Sequence, residues 1–437
     1  MIRQKVFCLA LIIILISILV FAFLLCDDGD TVEALDLPTH IHMTWQHSNM
    51  SSTITVTWQT EYPNSGSTVI YDDVSRDGNH SLYSHSIMGT CHTYVGASGY
   101  IHDVELTVLK PNSTYYFICG GEKSGYSDER SFHTAPTHPS HVRFVVGGDC
   151  RTNWFQRDSI SRAMSEFNPN FVLLTGDLVT SGQNQTQWDS FFDGLHSYWI
   201  GSNNLTIPIV PCLGNHEKNA INYYEQFALA GNEQWYSLNW GKYVHITVLN
   251  SEADPLGDQL DWLEADLSSS ENYTWKFVVF HRPPFSSSSH GSWTESQEYW
   301  CPIFDKYHVD IVFAGHDHNY ERSKPINYTT SKTSPQDSYS KGTMYIVTGG
   351  WGAPLYPSGY NWWTDYSSST YHFIMVDVFA NGTLNLQAKN ASGLTFDEVI
   401  QKTQVIPEFP SNLIFPLFLL LSLMPIIARA PRKLQKN

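Results

Sequence analysis

The sequence predicts a β-sandwich followed by an α/β domain, with an apolar tract at each end of the chain. Short runs of alternating polar and apolar residues fill 37–138, and apolar strands alternate with helical patterns over 141–398. Long apolar tracts lie within 1–26 and at 413–428. The chain has 437 residues, too many for one ordinary domain, and 42% of them are hydrophobic against 15% charged. This composition is sufficient for two packed cores.

The terminal tracts predict export and attachment to a membrane. Segment 1–26 starts with two basic residues and continues as a charge-free apolar run, the pattern of a signal peptide or an uncleaved signal anchor. Segment 413–428 precedes a basic tail, the pattern of a transmembrane helix or of a C-terminal sorting tail. We therefore expect an extracellular or cell-surface body that is anchored to the membrane.

Sequons and cysteines also bear on whether the protein is exported. Nine Asn-x-Ser/Thr sequons favour a glycosylated exported body, although a sequence rich in these residues also produces sequons by chance. They lie at Asn49, Asn79, Asn112, Asn184, Asn204, Asn272, Asn327, Asn381 and Asn390. Cys91 and Cys119 share one strand-rich region, so a disulfide between them is one option outside the cell. Cys150 and Cys212 have no CxxC partner and are expected to pack in the core.

The segment 37–138 has the pattern of an immunoglobulin-like or fibronectin type III β-sandwich. The stretch STITVTWQT at 52–60 alternates polar and apolar residues, and the turn KPNS at 110–113 separates two further alternating runs. The proline-containing stretch TAPTHPSH at 134–141 then supplies a linker.

The segment 141–398 predicts an α/β catalytic domain with two mixed β-sheets flanked by helices, in four layers. Strands such as VRFVVGG, FVLLTG and DIVFAG alternate with helical stretches such as DSISRAMSEF and LGDQLDWLEADLSSS. The last runs, beginning at KGTMYIVTGG, predict antiparallel strands that complete the second sheet. The formal net charge of −17 argues against a nucleic-acid partner, but not against a small phosphorylated substrate.

Polar side chains that bind metals follow nearly every strand of this domain. Since the carboxyl ends of strands form the ligand crevice in layered α/β folds, we expect these side chains to meet. They are Asp149, Asp177, Asn215, His216, Glu217, His281, His316 and His318. Oxygen and imidazole ligands together suit Zn, Mn or Fe, and their number favours two divalent or trivalent ions that share a bridging carboxylate. A single Gly-Asp or histidine is more often structural, so the prediction depends on the whole ordered set.

That ordered set, GD…GD…GNHE…VxxH…GHxH, resembles the calcineurin-like metallophosphoesterase superfamily. The stretches GNHE and GHDHNYER resemble the purple acid phosphatases within it, and 37–138 is similar to their fibronectin-like N-terminal domain. The resemblance covers about Leu37 to Gln387. It implies an enzyme, a metal-dependent phosphohydrolase acting on a small phosphate ester.

The resemblance also implies roles for individual residues. One ion would be bound by Asp149, Asp177 and His318. The second would share Asp177 and be bound by Asn215, His281 and His316. His216 and His290 would be the catalytic histidines that contact the phosphoryl group.

The sequence departs from the family at two positions. Thr180 stands where the family has the tyrosine that produces the purple colour, and Arg151 stands where other superfamily members have a histidine ligand. The first ion therefore has one side-chain ligand fewer than in either pattern. Arg151 is expected either to bind the substrate phosphate or to be an ordinary surface arginine.

The expected function is that of an extracellular acid phosphatase-like phosphomonoesterase that uses a hydroxide activated by two metal ions. Two alternatives remain open at this point. One is a nucleotidase or phosphodiesterase that uses the same site, and the other is a cell-surface binding protein with weak or no catalysis. The substrate and the oligomeric state are not predicted.

Overall fold

The computed structural model describes residues 35–63 and 65–402. The expected signal segment 1–26 and the C-terminal tract 413–428 lie outside these residues. Within the described part of the chain, no helix is both long and apolar enough to span a bilayer.

The N-terminal part is a sandwich of two antiparallel sheets, as the alternating pattern predicts. One sheet has the order β1-β2-β6-β5, and the other has the order β4-β3-β7-β8 with β9 also paired to β7. The strands are β1 Thr39–Thr44, β2 Ile54–Thr60, β3 Thr68–Asp72, β4 His85–Met88, β5 Thr90–His92, β6 Tyr100–Leu106, β7 Thr114–Gly121, β8 Gly125–Tyr126 and β9 Arg130–His133. Trp58 and Phe117, from the two sheets, are fully buried in the core.

The C-terminal part contains a six-stranded and a seven-stranded sheet. The first has the order β12-β11-β10-β20-β21-β22, and the second has the order β13-β14-β15-β16-β18-β17-β19. The strands are β10 His141–Gly147, β11 Phe171–Leu174, β12 Ile209–Pro211, β13 Tyr236–Trp240, β14 Val244–Val248, β15 Trp275–Val279, β16 Ile311–Ala314, β17 Tyr320–Ser323, β18 Met344–Thr348, β19 Thr364–Ser368, β20 His372–Phe379, β21 Thr383–Asn390 and β22 Thr395–Lys402.

The two sheets pack face to face. Phe144 on β10 contacts Phe277 on β15, with ring centroids 5.2 Å apart, and Phe313 on β16, with centroids 6.4 Å apart. Side chains of the two inner faces thus form one aromatic layer, which holds the strand ends of both sheets in a fixed relative position.

Helices cover the outer faces and complete the four predicted layers. Met164 and Ile160 on the first helix belong to the core beneath the first sheet, and Leu263 and Leu267 pack behind the second sheet with Trp300. The helices are Trp154–Glu166, Gln185–Tyr198, Ile221–Tyr224, Asp258–Ser269, Thr294–Tyr299 and Cys301–Tyr307, and Tyr339–Lys341 forms a single 3-10 turn.

The arrangement of the last strands differs from the sequence prediction. β18 lies in the second sheet, but it runs parallel to β16. β20, β21 and β22 do not join it, and instead extend the first sheet antiparallel from β10. The run KGTMYIVTGG and the run that follows it are both apolar, so periodicity alone could not assign them to different sheets.

The optional disulfide is not formed in this structure. Cys91 is exposed, Cys119 is buried, and both are free. The Cys91 Sγ lies near the Pro63 carbonyl, whereas the Cys119 Sγ faces Ser127. The two cysteines belong to β5 and β7, which lie in different sheets.

A buried ion pair joins the two sheets of the α/β domain. The Arg322 guanidinium on β17 donates to both carboxylate oxygens of Asp397 on β22, at 2.7 and 3.0 Å. Tyr320 also donates to Asp397, at 2.7 Å. This cross-link ties the last described strand of the first sheet to the second sheet.

Replacing Asp397 with Ala should destabilise the fold by about 3 kcal/mol, because it leaves the buried Tyr320 phenol without its acceptor and the Arg322 guanidinium with Asp365 as its remaining carboxylate partner. Thermal or urea unfolding measures the change. Asp337→Ala is the matched control: its carboxylate pairs with Lys341 at the surface, and exposed pairs contribute about 0–1 kcal/mol. Equal effects of the two variants would contradict the cross-link role of Asp397.

Candidate metal centre

The candidate site lies where the parallel strands of both sheets end. β10, β11 and β12 run parallel in the first sheet, and β14, β15 and β16 run parallel in the second. The residues predicted as ligands follow β10, β11, β12, β15 and β16. Since the sheets pack against each other, their carboxyl ends open into one crevice.

Left-handed backbone turns aim three of these side chains into the crevice. Asp149, Asp177 and His316 have φ values of 58°, 54° and 71°. This region is sparsely populated by residues other than glycine, although Asp and His tolerate it better than most. Such conformations persist at functional sites where the surrounding structure enforces them.

Glycines next to the candidate ligands make room for this arrangement. A Cβ at Gly214 would lie 2.4 Å from Asp177 Oδ1, and one at Gly315 would lie 2.5 Å from Asp149 Oδ2. These distances are shorter than any real contact, so the two loops approach the carboxylates only because they carry glycine.

Four side chains meet around the Nε2 atom of His281. Asn215 Oδ1 lies 3.0 Å from it, His316 Nδ1 lies 3.2 Å away, and Asp177 Oδ1 lies 3.4 Å away. His281 Nδ1 donates to the Thr175 carbonyl at 2.8 Å, so a neutral ring presents its lone pair at Nε2. These are the four residues predicted to hold the second ion.

The electrostatics of this cluster favour a cation. Burial lowers the pKa of His281, but the Asp177 carboxylate outweighs burial and raises that pKa to about 10. Burial likewise opposes ionisation of Asp177, yet His281 holds the pKa of Asp177 well below its usual range. Without a metal ion, the cluster attracts a proton instead.

Asp149 and His318 form the other half of the crevice. His318 Nδ1 donates to the Pro354 carbonyl at 2.7 Å, so a neutral ring carries its lone pair on Nε2. This Nε2 lies 3.3 Å from Asp149 Oδ1. Asp149 is 0% exposed, and its Oδ1 has no hydrogen-bond partner among the described residues. Two lone-pair atoms that face each other in a buried site are stabilised by a cation between them.

The residues present therefore fit a metal ion. Ligand atoms of Asp149, Asp177 and His281, all buried, lie within 4.8 Å of one another. The oxygen and imidazole donors suit Zn, Mn or Fe. The backbone carbonyls that bind the opposite nitrogens of His281 and His318 orient both rings, as is usual at metal centres.

Arg151 lies inside the crevice and not on the surface. Its Nε lies 3.3 Å from Asp177 Oδ2 and its Nη2 lies 3.2 Å from His318 Nε2. The guanidinium thus contacts two of the three residues predicted to hold the first ion.

The two predicted catalytic histidines flank the cluster. His216 Nδ1 bonds the Thr180 carbonyl at 2.6 Å, and its Nε2 lies 3.7 Å from Asp177 Oδ2. His290 packs on the ring of His316, with centroids 4.1 Å apart. Each histidine is partly exposed to the crevice, which leaves a nitrogen available to a ligand.

Two residues have roles that were not predicted. Asp317 accepts from His290 Nδ1 at 2.9 Å and from the His290 backbone N–H at 2.9 Å, and so fixes the ring. Glu217 was predicted only as part of the strand-end set, but its carboxylate accepts backbone N–H groups of Asp177, Leu178, Val179 and Gly214. It ties the loop of Asp177 to the GNHE loop. The only sequence signal for either residue is an acid beside a histidine.

The comparisons with known proteins agree with the fold. The family description Calcineurin-like phosphoesterase matches residues 130–320, and Purple acid phosphatase, N-terminal domain matches residues 38–134. These matches define the class as a calcineurin-like phosphoesterase with a purple acid phosphatase type of N-terminal domain.

Individual similar proteins are named purple acid phosphatases. The Arabidopsis thaliana protein named "Probable purple acid phosphatase 20" is 31% identical over 318 residues, which are 67% of this chain and 70% of that protein. Purple acid phosphatase 21 of the same plant is 32% identical over 58% of each chain. The solved structure of purple acid phosphatase PPD1 from yellow lupin seeds superposes with a TM-score of 0.72 at 22% identity, over 84% of this chain and 75% of that one.

The chain belongs to the purple acid phosphatase family. It is a metallophosphoesterase, a hydrolase of phosphate esters, as the ordered motifs predicted.

Metal binding should release a proton from His281, since its pKa of about 10 keeps the metal-free ring protonated at neutral pH. The apparent affinity for Zn²⁺ should therefore rise with pH, by up to about tenfold per unit below that pKa. Calorimetry in buffers of different ionisation enthalpy measures the proton release.

The metal-free chain provides a second check on this pKa. A raised histidine pKa stabilises the fold fully below the unfolded value of 6.5, and this contribution is lost as the pH rises through about 10. A Zn²⁺ affinity that does not change with pH, with no proton released, would contradict the assignment of His281.

Proposed function

We propose that this protein is an exported phosphomonoesterase of the acid phosphatase type, with a centre for two metal ions. The observation that carries the proposal is the convergence of Asp149 and Asp177 with the Nε2 atoms of His281 and His318 in one buried crevice.

The proposed ligands divide into two sets that share one carboxylate. Asp177 Oδ1 faces His281, and Asp177 Oδ2 faces Arg151 and lies toward His216. Asp177, Asn215, His281 and His316 would hold one ion, and Asp149, Asp177 and His318 would hold the other. Fe, Zn or Mn bound here would polarise the phosphate ester and bring the pKa of a coordinated water towards neutrality.

The flanking histidines are proposed to bind the phosphoryl group and to move a proton. His216 is held by the Thr180 carbonyl at Nδ1, so its Nε2 faces the crevice. His290 is held at Nδ1 by Asp317, so its Nε2 is available to a ligand. A histidine that carries a proton on Nε2 donates it to the leaving alkoxide.

An aromatic side chain forms one wall of the crevice. The ring of Tyr356 stacks on His318, with centroids 4.1 Å apart, and meets the edge of His290 at 5.2 Å. It comes from the loop that follows β18. This wall favours a small ester with an organic leaving group, because a flat ring offers contact area without charge.

Export and membrane anchoring are part of the proposal. They are motivated by the apolar tracts at 1–26 and 413–428 and by the nine sequons between them. The net charge of −17 disfavours a nucleic-acid polymer as a partner.

Asp177→Asn should lower the hydrolysis of an aryl phosphate monoester by about a thousandfold or more, because bound ions supply several kcal/mol of transition-state stabilisation. Metal content should fall with activity. Asp337→Asn, at the surface, is the matched control and should change neither. Full activity of Asp177→Asn would contradict the metal centre, and a preference for diesters over monoesters would contradict the monoesterase assignment.

Asp317→Asn should lower kcat by about 10–100-fold with metal content unchanged, because Asp317 orients His290 through Nδ1. His290→Ala should lower kcat at least as much. His80→Ala, a histidine of the sandwich that stacks on Tyr126, is the control. If Asp317→Asn loses metal as well as activity, Asp317 supports the ligand histidines and not His290.

A further inference from the structure

We propose that Arg151 is a built-in competitor for the first metal ion: its guanidinium and that ion use the same atoms of Asp177 and His318 and exclude each other. The inference rests on the proposed two-ion function and adds a regulation of that site. It predicts a centre that binds one ion firmly and the other only when Arg151 moves away.

The Arg151 guanidinium contacts a histidine nitrogen that is also a candidate metal ligand. Arg151 Nη2 lies 3.2 Å from His318 Nε2. His318 donates its Nδ1–H to the Pro354 carbonyl, so Nε2 is the nitrogen that carries the lone pair of the neutral ring. One lone pair accepts either the N–H of Arg151 or a metal ion, but not both.

The two oxygens of the Asp177 carboxylate face different halves of the crevice. Asp177 Oδ1 faces His281 at 3.4 Å, on the side proposed for the second ion. Asp177 Oδ2 faces Arg151 Nε at 3.3 Å, on the side of Asp149 and His318. The guanidinium therefore lies on one side of the bridge only, and the four-residue cluster around His281 is free of it.

The charge and the burial of Arg151 also suit it to the position beside the two carboxylates. The Arg151 side chain is only 13% exposed, and the carboxylates of Asp149 and Asp177 are buried beside it. A buried pair of carboxylates needs positive charge, and a guanidinium remains protonated at any pH at which the protein folds. Arg151 can supply this charge but cannot ligate a metal, because it has no acceptor atom.

The position of Arg151 in the chain allows it to leave. It precedes the helix Trp154–Glu166, on a short connection that includes Thr152 in a left-handed conformation with φ of 82°. Once displaced by an ion, the Arg151 guanidinium stays close enough to the crevice to bind a phosphoryl oxygen.

The test is a metal titration of the metal-free full chain with Zn²⁺, followed by elemental analysis after passage through buffer of low free Zn²⁺. The wild-type chain should retain one ion per chain and take up a second with an affinity at least about tenfold weaker. Arg151→Ala should strengthen the second binding step by about tenfold or more. Arg151→His, which replaces the competitor with an imidazole ligand, should strengthen it further.

Two control variants and one spectroscopic readout keep the outcomes distinct. Arg151→Lys keeps a cation and should leave the second step weak, while Arg162→Ala, on the exposed face of a neighbouring helix, should leave both steps unchanged. Co²⁺ absorption spectra report the two sites independently of activity. Two equally tight ions in the wild-type chain, unchanged in Arg151→Ala and Arg151→His, would overturn the inference and leave the proposed function intact. No bound metal and no phosphatase activity in any variant would instead overturn the proposed function.

Discussion

The structure depends on one constraint: two buried carboxylates, Asp149 and Asp177, lie in one crevice beside the Nε2 atoms of His318 and His281. Left-handed turns hold both aspartates in place, and the glycines at 214 and 315 leave room for them. Such a cluster costs folding free energy unless positive charge neutralises it. The two sheets, packed through Phe144 and its partners, keep the cluster from relaxing apart. The buried carboxylates therefore both require positive charge for a stable fold and give the crevice its affinity for cations.

The two halves of the crevice satisfy this constraint in different ways. Around His281, four side chains bring ligand atoms close together. Around His318, the ligand set is smaller and Arg151 supplies the positive charge. The backbone carbonyl of Thr180 accepts a hydrogen bond from His216. The Thr180 side chain has no phenol that could ligate a metal ion. A purple acid phosphatase fold thus carries a crevice whose two halves differ in charge.

Strand ends were the part of the site that the sequence could predict. An apolar run that stops at a polar side chain such as Asp149, Asp177 or His281 marks the end of a strand, so the candidate ligands could be named, and the structure brings them to one crevice. His290 was named only through the family resemblance. The roles of Asp317 and Glu217 could not be derived in this way, because their partners, at 290 and at 177–179 and 214, are distant in sequence. Strand periodicity likewise revealed the final strands, but not that β20 would cross back to pair with β10.

The most direct test of the central claim is a crystal structure of the metal-loaded protein with anomalous data collected at the absorption edge of the bound metal. We expect the strongest anomalous peak among Asp177, Asn215, His281 and His316, with a weaker one beside Asp149 and His318 that gains occupancy as Arg151 moves out. An active, metal-loaded protein with no anomalous peak near Asp177 would contradict the account.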